Sequence, residues 1–270
     1  MRGIIALLTD FGLKDPYVGM MKAVITSINP QAVIIDLTHD IPKFNVSYGA
    51  FILKASYKYF RKGTIFIAVV DPEVGTSRKG IIIVTNNYVF IGPNNGILTP
   101  AALSDGILEL YEIDINRVRI GDVSSTFHGR DVFAPTAALL SLGVKPSSIG
   151  RMLNKDELTI IDVPPYKPVR RGDCLEATAY YVDDFGNIIL DVELNHILAE
   201  LGVKLNDEVL IKVGERVFHV RVVNTFADVC EGCLALYRDS FGLAEVGVFK
   251  GSAYNKLGIN VGDKICIGKG

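Results

Sequence analysis

The sequence predicts an α/β domain with a central, mostly parallel sheet, followed by a mostly antiparallel β-barrel domain. Three observations predict this: Ile- and Val-rich runs alternate with helical stripes over the first 160 residues, prolines interrupt the chain at 161–171, and short, often alternating runs follow. In order, the first half offers strands at 3–9, 32–37, 64–70, 80–84 and 88–91. These runs are apolar on both sides, the habit of strands covered on two faces in a parallel sheet. Between them, residues 17–29 carry Met20, Met21, Val24, Ile25 and Ile28 at helical spacing and stop at Pro30. Asn45 is placed to cap a second helix reaching Phe60, and a third stripe covers 130–142, where Pro135 marks either a kink or a late start.

Residues 162–171, Asp-Val-Pro-Pro-Tyr-Lys-Pro-Val-Arg-Arg, read as a stiff, extended linker between a domain of 1–161 and one of 172–270. Beyond it the strand-like runs are 176–182, 187–191, 208–213, 217–223, 233–237, 243–248 and 264–267. Turn residues such as Gly214-Glu215 and Gly262-Asp263 separate or precede them, and only 194–201 looks helical. A small barrel or a sandwich satisfies that rhythm.

Composition excludes several classes of function. The 28 Lys and Arg against 30 Asp and Glu give no basic excess for nucleic acid. The longest uncharged stretch, 80–104, is broken by Asn86, Asn87, Pro93, Asn94, Asn95 and Pro100, which no membrane-buried helix tolerates together. The first apolar run is short and ends at Asp10, unlike a signal peptide. Four cysteines do not make a disulfide scaffold. The expectation is a cytoplasmic protein.

Three apolar runs end at a carboxylate: Asp10, Asp36 and Asp71. Ligands of open α/β sheets bind at the carboxyl ends of strands, so these groups either share a crevice or merely cap their own loops. Asp36 is the weakest of them, because Thr38, His39 and Asp40 can satisfy it locally. A carboxylate in the position of Asp10 suits a ribose diol, since its two oxygens accept from adjacent hydroxyls. No Gly-rich phosphate loop is present, which favours a nucleoside without phosphate. The loop 71–78 has Asp71 at one end and Arg78 at the other; with His128, in Phe-His-Gly-Arg-Asp, it offers a base and a cation able to activate a nucleophile. Each of these residues also has a structural reading, as a clamp or a satisfied histidine. Cys230-Glu231-Gly232-Cys233 lacks the second pair a zinc site wants, Cys174 and Cys266 being isolated singles, so inert thiols or an incidental disulfide is expected. Phe185 and Asn187 in one turn and Phe226 in another combine aromatic faces with polar groups: a pattern that fits adenine, or ordinary turns over core phenylalanines.

The ordered set Thr-Asp-Phe-Gly, Asp-Leu-Thr-His, Asp-Pro-Glu-Val-Gly-Thr-x-Arg, Gly-Pro-Asn-Asn-Gly, Phe-His-Gly-Arg-Asp, Asp-Phe-Gly-Asn and Asn-Thr-Phe-Ala-Asp resembles the S-adenosylmethionine hydrolases. These are also called S-adenosylmethionine hydroxide adenosyltransferases and are relatives of the fluorinase and chlorinase. The resemblance implies hydrolysis of S-adenosylmethionine to adenosine and methionine, without cofactor or metal. It further implies a homotrimer whose active sites lie between the first domain of one subunit and the barrel of its neighbour. By position, it implies that Asp71, Arg78 and His128 handle water and that Asp10 holds the ribose. Asn187, Phe226, Phe44 and Phe185 line the nucleoside pocket in that scheme, while Ser240 and Asp183 meet the methionine. The segment Phe249-Lys250 departs from the family, whose members often carry a small polar segment there. Three rivals remain: a halide-using transferase, which a charged Asp71 opposes; a metallohydrolase built on Asp10, Asp36, His39 and His128; and a non-catalytic adenosine-binding protein.

Overall fold

In the computed structural model, which describes residues 3–270, the chain divides into a unit ending at Val163 and a unit spanning Pro164–Gly270. The first is built on seven strands: β1 (Ile4–Thr9), β2 (Val33–Thr38), β3 (Ile65–Val69), β4 (Gly80–Thr85), β5 (Val89–Pro93), β6 (Ile107–Ile113) and β7 (Gly150–Met152). They are ordered β2-β1-β3-β5-β4-β6-β7. β1 pairs in parallel with β2 and β3, and β3 with β5, whereas β4 and β7 run against their neighbours. Five of the seven strands therefore share one direction. β1 and β3 are buried almost throughout, as their unbroken apolar runs require. β2 is not: with β1 as its one sheet neighbour, it leaves Val33 and Ile35 39% and 37% exposed, correcting the expectation of two-sided burial.

Helices α1 (Tyr17–Ile28), α2 (Val46–Ser56) and α3 (Thr99–Asp105) connect these strands. Asn45 does cap α2, its side chain accepting the Tyr48 amide at 2.9 Å. The third stripe starts late. Residues Gly129–Phe133 form a wide π-type turn, and the α-helix proper, Ala134–Ser141, has Pro135 in its first turn, where the missing N–H costs nothing. Phe133 and Ala134–Ala138 pack this segment into the core beneath α1; each large buried side chain contributes on the order of 1.5–3 kcal/mol.

The second unit closes on itself. Its strands are β8 (Val169–Arg171), β9 (Cys174–Val182), β10 (Ile188–Glu193), β11 (Glu208–Val213), β12 (Arg216–Val222), β13 (Leu234–Arg238), β14 (Leu243–Val248) and β15 (Lys264–Lys269). The order β10-β14-β13-β12-β11-β15-β9 returns to β10, giving a seven-stranded barrel with β8 added on β9. All pairings are antiparallel except β12 with β13. Valines, isoleucines and leucines fill the interior, and closure removes the exposed edges that β2 illustrates in the other unit. Within the Pro-rich stretch, Tyr166 bridges Val192 and β8 pairs with β9, so this segment packs with the second unit from Pro164 onward. The barrel also corrects the reading of Cys174 and Cys266. They lie on the neighbouring strands β9 and β15 and form a disulfide across 92 residues of sequence.

Candidate active site

β1 lies between β2 and β3, so the connections leave it on opposite sides and open a crevice at its carboxyl end. Asp10 follows β1, and Asp71 follows β3 by two residues. Asp36 does not join them: it sits inside β2, pairing with Lys22 at 2.6 Å and standing 3.1 Å from His39 Nε2. His39 is a buried structural residue, its Nδ1 2.8 Å from Thr9 Oγ1, and it ties the ends of β1 and β2 together. The ligand set of a metallohydrolase is thus not assembled, and no group of three or more potential metal ligands occurs among the described residues.

The loop after Asp71 folds back so that Arg78 Nε donates to Asp71 Oδ1 at 3.1 Å while Nη2 donates to Oδ2. Gly75, at φ +81°, lets this loop lie against the Ser125 carbonyl, which any side chain at position 75 would strike. That approach carries the 71–78 loop to the segment bearing His128. The segment is itself fixed: Asp131 accepts the Ser124 amide at 2.9 Å and the Arg130 guanidinium at 2.6 Å. The outcome is Arg78 Nη2 3.3 Å from His128 Nδ1.

Burial decides the electrostatics. The side chains of Asp71 and Arg78 are 5% and 4% exposed. Burial raises the Asp71 pKa above the usual aspartate value, outweighing the opposing pull of Arg78 and His128. Burial and then the Arg78 charge hold His128 below the usual histidine value, so its ring is neutral at pH 7. Arg78 can only donate, so Nδ1 of that neutral ring accepts and its proton sits on Nε2. Arg78 Nη1 is buried with no hydrogen-bond partner among the described residues.

Asp71, His128 and Asp10 share the wall of one cavity of about 230 Å³, with Phe44 at its rim; Arg78 stands behind Asp71. Asp10 is buried, and its Oδ2 accepts the amide of Phe44, a residue at φ +65° and 69% exposed. Sequence reasoning missed Lys43, whose ammonium bonds the Asp10 carbonyl, and the aromatic group Phe11, Tyr17 and Phe127. These three rings meet edge to face at 5.2–6.0 Å. Gly129 lies among them, its absent side chain leaving room against Phe11 and Phe127. Phe127 and Phe11 adjoin His128 and Asp10 in sequence, a usable signal; Tyr17 becomes visible only once α1 is placed.

The barrel unit carries the remaining predicted residues. Phe185, Asn187 and Phe226 line a separate cavity of about 430 Å³ with Val248, Phe249, Lys250 and Gly251. Asp183 and Ser240 are not among its lining residues. Both oxygens of Asp183 are engaged in its own turn, accepting the Phe185 and Asn187 amides at 3.0 and 2.8 Å and the Asn187 side chain at 3.0 Å. Ser240 is exposed in the turn between β13 and β14. Cys230 and Cys233 form a disulfide.

A carboxylate–guanidinium–imidazole cluster at the head of a mostly parallel sheet, and an aromatic-lined cavity on an aliphatic-cored barrel, define the class: a two-unit protein with an α/β unit and a β-barrel unit. Comparison with known proteins gives the family. Models of the SAM hydroxide adenosyltransferase N-terminal and C-terminal domains match residues 5–150 and 177–266; the chain belongs to this family. An (R)-S-adenosyl-L-methionine hydrolase of Salinispora tropica is 36% identical, with 98% of each chain covered. A fluorinase of Actinoplanes sp. is 27% identical over 89% of this chain and 92% of its own. The crystal structure of an uncharacterized conserved protein from Thermotoga maritima superimposes with a TM-score of 0.88 at 38% identity, covering 98% of this chain and all of that one. No helix among the described residues is long and apolar enough to cross a membrane.

Proposed function

We propose that this protein hydrolyses S-adenosylmethionine to adenosine and methionine. The observation that carries the reading is the Asp71–Arg78–His128 cluster, whose Asp71 and His128 face the cavity at the carboxyl ends of β1 and β3 while Arg78 bonds both from behind. The hydrolase names of its full-length relatives support the same substrate.

The sulfonium leaves as a neutral thioether and needs neither acid nor metal. The difficulty is the nucleophile, since bulk water has a pKa of about 15.7. In this reading a water sits against Asp71 and His128 and attacks ribose C5′ in line with the departing sulfur. The new C5′–O bond forms as the C5′–S bond breaks, and the water proton is released. His128 holds its ring proton on Nε2 and its Nδ1 is occupied by Arg78, so it orients the water. Asp71 takes the proton, and its raised pKa makes it a stronger base than an ordinary aspartate. Arg78, behind Asp71, holds the carboxylate and the imidazole in place, and its charge favours the developing hydroxide. Asp10 accepts from the ribose diol, Phe44, Phe185, Asn187 and Phe226 take the nucleoside, and Ser240 and Asp183 serve the methionine end.

The first unit's cavity of about 230 Å³ falls below the roughly 300–1,000 Å³ usual for ligand sites. That supports the inference that the active site is completed in a homotrimer by the barrel of a neighbouring subunit. A charged substrate does not cross a bilayer unaided, so the same reading places the enzyme with its substrate in the cytoplasm.

The test is incubation with S-adenosylmethionine in ¹⁸O-water, with and without chloride or fluoride. Adenosine labelled at its 5′-hydroxyl, plus methionine, is expected in each case. A dominant halogenated nucleoside, or tight adenosine binding with no turnover, would overturn the reading.

A further inference from the structure

The Cys230–Cys233 turn has no part in the reaction above, yet it is bonded directly to a wall of the barrel's aromatic cavity. Gly232 N–H donates to the Phe249 carbonyl at 2.9 Å, and Phe249 N–H donates back to the Cys233 carbonyl at 3.2 Å. Lys250 and Lys256 add two cords, to Glu231 Oε2 at 3.0 Å and to the Gly232 carbonyl. The held residue faces the cavity. Phe249 lies 6.3 Å from Phe226, which in turn lies 6.0 Å from Tyr237. Lys250, immediately after it, sits at φ +56°, a conformation unfavourable for a lysine that its surroundings must impose. That φ belongs to the tight turn closed by the Gly251 N–H on the Val248 carbonyl at 3.1 Å, and the disulfide-closed turn grips this turn through both main-chain groups of Phe249.

We propose that the Cys230–Cys233 disulfide positions Phe249 as a wall of the nucleobase pocket, so that its redox state sets the affinity for the substrate; the inference rests on the hydrolase reading for the identity of that substrate. The pair is open to exchange. Cys230 is exposed and Cys233 half-buried, whereas Cys174 of the other disulfide is buried. A thiolate of a small dithiol attacks one sulfur and passes through a mixed disulfide. The Sγ–Sγ bond breaks, the pair gains two electrons and two protons, and the dithiol leaves as its own disulfide. The freed turn then no longer anchors the main chain of Phe249, and the Phe249 ring loses its fixed place opposite Phe226. The chemical step is untouched, because Asp71, Arg78 and His128 belong to the other unit.

The experiment measures kcat and KM for S-adenosylmethionine before and after treatment with a dithiol, using the full chain. The variants are Cys230→Ser with Cys233→Ser, and Phe249→Ala. Reduction of the wild type should raise KM about tenfold, within the span expected for weakening one stacked base, while kcat stays within about twofold. The double serine variant should show that raised KM with or without dithiol, which assigns the effect to this pair rather than to Cys174–Cys266. Phe249→Ala should show a raised KM that no longer responds to dithiol. An unchanged wild-type KM on reduction, a loss confined to kcat, or an undiminished response in Phe249→Ala overturns the proposal. Absence of turnover by the untreated wild type would instead overturn the hydrolase reading. Calorimetric adenosine binding, oxidised against reduced, would then decide the clamp on its own.

Discussion

Glu245 is a carboxyl group buried in the barrel wall, 8% exposed, directly opposite Tyr237 in the β13–β14 ladder. The tyrosine hydroxyl donates to its Oε1. Burial raises the Glu245 pKa from 4.5 to about 7, and the charges of Asp183 and Asp239 push the same way, against the Tyr237 bond. A carboxyl whose folded pKa lies above its unfolded value contributes most below the unfolded value. That contribution is lost as pH rises through the folded one. The difference of about 2.5 units, at 1.36 kcal/mol each, amounts to about 3 kcal/mol withdrawn from the folded state between pH 4.5 and pH 8. Glu245→Gln has no charge to bury, and its amide oxygen still accepts from Tyr237. Urea unfolding of both proteins should therefore give a free-energy gap that widens by about 3 kcal/mol in favour of the variant between those two pH values. A gap that stays constant with pH would refute the argument, whatever its absolute size.

Asp71→Asn should lower kcat by about 10²–10⁴-fold with little change in KM, because it removes the proton acceptor and keeps the shape; steady-state kinetics decide it. Activity needs Asp71 ionised and His128 neutral, and their pKa values are displaced toward one another. Because burial raises the Asp71 pKa, the acid limb of kcat/KM should lie above the ordinary aspartate value of 3.8, with activity rising as pH rises. A rate flat down to pH 3.8 contradicts that assignment. Dialysis against a chelator should leave the rate unchanged, and restoration of a lost rate by a divalent metal would count against the water-activating cluster.

Much of this architecture was legible because local signals agreed with the tertiary outcome. The unbroken apolar runs that become β1 and β3 end at Asp10 and Asp71, so strand register alone places those carboxylates at one end of the sheet. Asn45 announces α2 through its own cap, and Leu194–Leu201 stands out as helical among strands. β6 and β7 were not legible: the first mixes Glu109 and Glu112 into its apolar positions, and the second has three residues. Asp36 misled because a carboxylate after three apolar residues reads as a strand end, whereas β2 continues to Thr38. Arg78 was visible as the partner of Asp71 within one loop, but its contact with His128 depends on two loops meeting far along the chain. The Cys174–Cys266 bond belongs to the same class, since only barrel closure makes β9 and β15 neighbours.

The hydrogen at the α-carbon of Gly75 has a consequence larger than its size. It is the spacer thickness between two loops that share no covalent tether near the cluster, and alanine there meets both a carbonyl and an unfavourable left-handed backbone. Prising those loops apart uncouples the imidazole from the guanidinium while the sheet beneath, whose strands are paired elsewhere, keeps its fold. Gly75→Ala thus offers a route to a folded, inert protein in which every reactive side chain is still present, suited to trapping uncleaved substrate in crystals.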